Sequence, residues 1–136
     1  MASDSDLRRA VSTAYYALFH TLAGSAADFL VASPKGELAI HAWSTTYRAL
    51  DHATLKRTFS HQKSLRGLPK ALRDFAELLL EMQSRRHQAD YDPFATFVPV
   101  EVEESIDACE AAITAFAAAD ESDRRAFVAF ALFRSR

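Results

Sequence analysis

The chain has 136 residues, with 16 Lys and Arg against 18 Asp and Glu, a formal charge of −2 and a single cysteine. Residues 1–136 suit one domain, large enough to bury about two-thirds of its unfolded surface without disulfide or metal. The near-neutral charge excludes attraction of nucleic acid by the whole surface, leaving only local patches, and a lone thiol excludes a disulfide framework.

Three glycines and four prolines leave few turn signals. Apolar residues recur near helical spacing throughout, which predicts an all-α antiparallel bundle of about five helices. The start, Met1 to Asp6, is polar and acidic, unlike a secretory signal, and Asp4 or Ser5 can cap a first helix running to about Val31. On that helix Leu7, Val11, Ala14, Leu18 and Leu22 form an apolar stripe, and Arg9, Thr13, Tyr16 and His20 a polar one beside it. The most apolar stretch, Tyr15 to Ala32, is interrupted by His20, Gly24, Ser25 and Asp28, too often to span a bilayer. The expectation is therefore a cytoplasmic protein with no membrane association.

Ser33-Pro34-Lys35-Gly36 ends the first helix. A second is expected from about Glu37 to Arg57, burying Ile40, Trp43, Tyr47 and Leu50, with His41, Thr45, Arg48 and His52 on its other side. A connection from Ser60 to Leu68 leads to Pro69, placed at the first turn of a third helix that ends near Asp92-Pro93. Its apolar series Leu72, Phe75, Leu79, Met82 runs on at the same spacing to Arg86, Ala89 and Asp90. Phe94 to Val98 reads as an extended crossover packing Phe94 and Phe97 on the bundle. Pro99 starts a fourth helix of about twenty residues, with the stripe Val102, Ile106, Cys109, Ile113 and Phe116. Its acids Glu101, Glu103 and Glu104 suit the helix dipole rather than catalysis. A terminal helix in residues 120–136, from about Asp123 to Arg134, carries Phe127, Val128, Phe130, Leu132 and Phe133 around most of its circumference. It must pack on the bundle or on a partner chain, and the second choice predicts a homodimer.

Chemistry concentrates in two segments. Tyr16 and His20 lie one turn apart, as do Arg86 and Asp90, and His87 and Tyr91. A core stripe that ends in charge needs partners, because an unpaired buried charge costs several kcal/mol, roughly 3 to 5 when a pair is broken, so the two segments are expected to meet. In the functional version Arg86 holds a phosphate bidentately and His20 or His87 serves as general acid or base, with Tyr16, Asp90 and Tyr91 as binding groups. In the structural version Asp90 fixes Arg86 and Tyr16 caps it, setting helix register alone. A second feature is the run Lys56, Arg57, Lys63, Arg66, Lys70, Arg73, which contains no acid. It reads either as a nucleic-acid footprint, with Lys63 and Arg66 binding and Phe59 or His61 stacking on a base, or as a solvated surface. No glycine-rich phosphate loop, G-x-S-x-G elbow or Cys/His metal spacing occurs, so no cofactor and no metal is expected.

The stretches Ala14-Tyr15-Tyr16-Ala17-Leu18-Phe19-His20 and Arg86-His87-Gln88-Ala89-Asp90-Tyr91 resemble the A-Y-Y-A-x-F-H and R-x-x-A-D-Y motifs of HEPN domains, in their small prokaryotic branch. The resemblance extends from near Leu7 to near Ala119. It implies a helical bundle, dimerisation, and links to RNA cleavage, defence and toxin–antitoxin pairs in which the partner is a nucleotidyltransferase-like antitoxin. Ribonuclease members carry Arg followed after four to six residues by His. Here Arg48 with His52 and Arg57 with His61 are one residue too close, and Arg86 adjoins His87. The reading that follows is a HEPN-like dimeric binding or regulatory protein whose pocket accepts a nucleotide or RNA phosphate. The alternatives are a metal-independent endoribonuclease toxin and a structural partner of a nucleotidyltransferase-like protein.

Overall fold

The computed structural model describes residues 2–32, 35–61 and 63–133. Among them the elements are six α-helices: α1 (Asp4–Leu30), α2 (Gly36–Arg48), α3 (His52–His61), α4 (Lys70–Tyr91), α5 (Pro99–Ala118) and α6 (Glu121–Leu132). A 3-10 turn, Ser64–Gly67, joins α3 to α4. The all-α bundle expected from periodicity is thus found, with one more helix than foreseen.

Helix α1 is the hub and packs on α2, α4, α5 and α6. Arg8 near its start reaches the end of α4, where Nη1 donates to the carbonyls of Ala89 (3.1 Å) and Asp92 (2.8 Å). Helices α1 and α4 are therefore antiparallel. So are α4 and α5, since Arg85 bonds Ser105 near their connection while Phe75 meets Phe116 (5.1 Å between centroids) far from it. The apolar stripes fall where helical spacing puts them. Leu7, Val11, Ala14, Leu18 and Leu22 are buried on α1, and Leu72, Phe75, Leu79 and Met82 on α4. On α5, Val102, Cys109 and Phe116 are buried, and Ile106 and Ile113 pack against them from the edge. Burial pushes the Cys109 thiol up to about 11, so it behaves as a small apolar group.

Helix starts follow local chemistry. Ser3, rather than Asp4 or Ser5, caps α1: its hydroxyl accepts from Asp6 N (3.1 Å) and the Asp6 carboxylate accepts from Ser3 N (3.3 Å). Pro99 opens α5, and Pro69 stands one residue before α4. Gly36 opens α2 with φ of 80°, a conformation that side chains with a Cβ seldom adopt. Ser33 and Pro34, part of the expected break, lie outside the described residues.

Three expectations are corrected. The single helix from Glu37 to Arg57 is two, because Asp51 accepts at Oδ1 from Ala53 N (2.8 Å) and Thr54 N (3.3 Å) and starts α3 afresh. The break turns Leu50 and Leu55 into the core, while α2 itself contains no buried residue and leaves Ile40 54% exposed. Phe94, expected to pack on the bundle, is 90% exposed, and only Phe97 docks, with the Arg8 guanidinium 5.2 Å from its ring centre. One face of α6 packs within the chain: Phe127 is fully buried among Phe59, Phe75 and Phe116 at 5.3, 5.9 and 6.1 Å, while Phe130 and Leu132 are half-buried and Phe133 is exposed. Val128 and Ala131 are buried beside it. The last helix therefore packs on the bundle by that face, with Phe133 left at the surface. No described helix is long and apolar enough to cross a membrane.

Candidate functional site

The core stripe of α4 ends at Arg86, and there it meets the aromatic segment of α1. The Arg86 guanidinium carbon lies 5.4 Å from the ring centre of Tyr16, 6.0 Å from Tyr15 and 5.9 Å from Tyr91 on its own helix. Its Nε stands 2.9 Å from Asp90 Oδ2, one turn on. The N–H is not aimed at that oxygen, and the buried Nε has no hydrogen-bond acceptor. The contact is an ion pair by distance and unsatisfied as a hydrogen bond. Asp90 is held from the other side, its Oδ1 accepting from Ser12 Oγ at 2.7 Å. The Arg86 side chain keeps 19% exposure, and its Nη groups find no acceptor among the described residues. The site thus presents guanidinium N–H groups, walled by tyrosine rings, towards solvent.

Two imidazoles flank Tyr16. His20 stacks on it at 5.7 Å and its Nδ1 is hydrogen-bonded with the Tyr47 hydroxyl of α2. Tyr47 stacks on Trp43 at 5.2 Å, and Trp43 Nε1 donates to Asp28 Oδ1 at 2.9 Å. Helix α2 is thereby strapped to α1 by ring contacts and hydrogen bonds instead of by core burial. The second imidazole, His52, begins α3. It stacks on Phe19 at 4.3 Å, meets the edge of Tyr16 at 6.1 Å, and its Nδ1 is hydrogen-bonded with the Tyr15 hydroxyl. Its backbone carbonyl accepts from Gln83 Nε2 at 2.9 Å, tying α3 to α4.

The protonation states of this pair agree with each other. Burial raises the Tyr15 pKa far above its ordinary value, outweighing the nearby Arg86, so the hydroxyl keeps its proton. It has no other acceptor among the described residues and donates to His52 Nδ1. Burial also lowers the His52 pKa from its ordinary 6.5, and the charge of Arg86 lowers it further, against a smaller opposing pull from Asp51. His52 is therefore neutral near pH 7, accepting at Nδ1 and carrying its proton on Nε2.

The residues singled out from sequence divide. Tyr16, His20, Arg86, Asp90 and Tyr91 come together. His87 does not join them: its ring lies tilted against Tyr91 at 5.0 Å but opens onto a different cleft, between α3 and α4. Arg9 and Thr13, placed in the Tyr16 stripe, line a groove against α5 instead. Phe59 is no stacking platform, because it is buried against Phe127. The His61 side chain lies outside the described residues. Lys63 and Arg66 are exposed, but Arg66 shares a hollow with Arg73, Asp74 and Glu77, and Lys70 pairs with Asp74 at 2.6 Å. Acids from α4 thus neutralise part of a run that is acid-free in sequence. Arg73 is thirteen residues before Arg86, about 20 Å along the helix at its 1.5 Å rise.

Residues missed by the sequence reading are Ser12, Tyr15 and His52. Ser12 was hidden by its ordinary polarity, and Tyr15 by reading as apolar core. His52 could have been found from Asp51, a helix-capping residue just after a lone inward leucine. No group of three or more His, Cys, Asp or Glu suited to hold a metal occurs among the described residues. Comparison with protein-family models, curated proteins and solved structures returns no match to the chain.

Proposed function

We propose that this chain is a HEPN-like binding protein that takes the phosphate of a nucleotide or RNA at Arg86, working as a homodimer in regulation or defence. The observation that carries the reading is the guanidinium itself. Buried polar groups are ordinarily satisfied, and an unmet N–H costs about 1–3 kcal/mol. Here the buried Nε lies 2.9 Å from Asp90 without a well-aimed hydrogen bond, and the Nη groups, which a ligand would meet, have no acceptor among the described residues. A phosphate oxyanion supplies several acceptors at once and matches the planar fork. Asp90 would repel an anion, but its Ser12 bond holds the carboxylate on one side of the guanidinium. The neutral His52 adds an N–H donor that costs no charge to desolvate.

The direct test is calorimetric titration of AMP at low salt into wild type and Arg86→Met. Binding that falls at least tenfold in the variant is expected, and equal binding by both proteins would end the proposal. A second reading, the metal-independent ribonuclease toxin, is favoured by one fact: His20 stacks on a single ring that His52 meets edge-on, beside one arginine. Both imidazoles are engaged at Nδ1 by a tyrosine hydroxyl, so either would have to move the proton through Nε2. Incubation of labelled single-stranded RNA with a chelator decides between them. Cleavage by wild type that is lost in His20→Ala and Arg86→Ala would promote the toxin, and intact RNA is expected.

A further inference from the structure

The cleft onto which His87 opens is lined by Lys56 and Ser60 of α3 and by Gln83, Ser84, His87 and Gln88 of α4, and it has a volume of about 420 Å³. No acid lines it. Lys56 is exposed and makes no ion pair among the described residues. The hydroxyl, amide and imidazole groups around it offer several donors at once. Those groups can hold an anion against a wall that Leu80 and the aliphatic stems of the polar side chains complete.

Its position relative to Arg86 gives it meaning. Adjacent residues on a helix point about 100° apart, so Arg86 and His87 open on neighbouring flanks of α4. Between them stands Tyr91, 65% exposed, with the Arg86 guanidinium 5.9 Å from its ring centre and the His87 ring at 5.0 Å. An exposed ring flanked by two cationic or donor-rich clefts is the arrangement that single-stranded nucleic acid uses, with a base on the ring and phosphates on either side.

We infer that the α3–α4 cleft is a second phosphate subsite, and that the ligand of this protein is a single strand whose backbone passes from Arg86 over Tyr91 to Lys56 and His87. The inference rests on the Arg86 reading and narrows it from any phosphorylated ligand to a polynucleotide. A mononucleotide reaches the first subsite alone. A strand reaches both, and its affinity carries the salt dependence of the extra contact.

The experiment titrates a ten-nucleotide labelled RNA and AMP, each at several salt concentrations, into wild type, Lys56→Gln, His87→Gln and Arg86→Met. In Lys56→Gln the RNA is expected to bind about tenfold more weakly, the loss of one charge-assisted hydrogen bond. The log–log salt slope should fall by about 0.7, the value for one single-strand phosphate contact. AMP binding should be unchanged in Lys56→Gln and lost in Arg86→Met. The His87 imidazole resonances should move on adding RNA and stay in place on adding AMP. RNA affinity and slope unaltered by both Lys56→Gln and His87→Gln would overturn the second subsite while leaving the Arg86 reading intact. AMP and RNA both indifferent to Arg86→Met would overturn the two together. Displacement of the RNA by decaglutamate at equal charge would overturn the strand in favour of an acidic peptide.

Discussion

Arg86→Met separates a binding group from a structural one, because methionine keeps the stem and removes only the guanidinium. What stability loses can be taken from the structure. The pair with Asp90 spans one helical turn and is 19% and 33% exposed at its two side chains, which places it near the weak end, at about 0.3–1 kcal/mol. Guanidinium contacts with the Tyr16 and Tyr91 rings contribute about 0.5–1 kcal/mol each. The N–H of Nε is not aimed at Asp90, so no well-made hydrogen bond is lost with it. A thioether against tyrosine rings restores about 0.3–1.5 kcal/mol. Asp90 is not stranded, since Ser12 still donates to it. The balance is a modest loss, and urea unfolding of Arg86→Met is expected within about 2 kcal/mol of wild type, while AMP binding falls at least tenfold. A loss of stability above about 3 kcal/mol would refute the reasoning. It would mean that the guanidinium holds the helices in register.

Three other outcomes follow from the same contacts. His52 has a folded-state pKa below its ordinary 6.5, so on acidification the unfolded chain takes the proton first. Its contribution to stability is complete above pH 6.5 and is lost as pH falls through the folded value, so melting curves from pH 8 to 5 should show a smaller drop in His52→Gln than in wild type. Phe127→Ala empties a fully buried site among three rings and should cost about 3–5 kcal/mol in urea unfolding, and a cost under 1 would show α6 to be dispensable packing. Arg8→Ala removes the donor that satisfies the carbonyls of Ala89, Asp92 and Ala95. Hydrogen exchange should quicken across residues 89–95, carrying Tyr91 with it, while the first turns of α4 stay protected.

How far these contacts were legible in the chain depends on their range. Helical spacing is local, so the stripes of α1, α4 and α5 and the charged end of the α4 stripe could be read one residue after another. That Tyr16 and Arg86 face each other followed from the same rule, because a stripe that ends in charge has to find polar company. The direction the chain takes after a break is a different matter. The cap at Asp51 rotates everything that follows, and only this rotation carries His52 to Tyr15, 37 residues away in sequence. It also leaves α2 on the surface with Ile40 exposed, although its apolar spacing matched that of a core helix. The basic run shows the limit from the other side. Its freedom from acids is a fact of sequence, but charge acts through space, and folding sets Asp74 and Glu77 of α4 beside Arg66 while delivering Lys56 to His87. By itself, then, the sequence determined the all-α class, the core-facing stripes and the meeting of its two aromatic and charged segments, since each depends on periodicity. Which histidine flanks Arg86, which helix stays unburied and where the free basic charge collects were decided by tertiary structure, because each depends on residues brought together from distant turns of the chain.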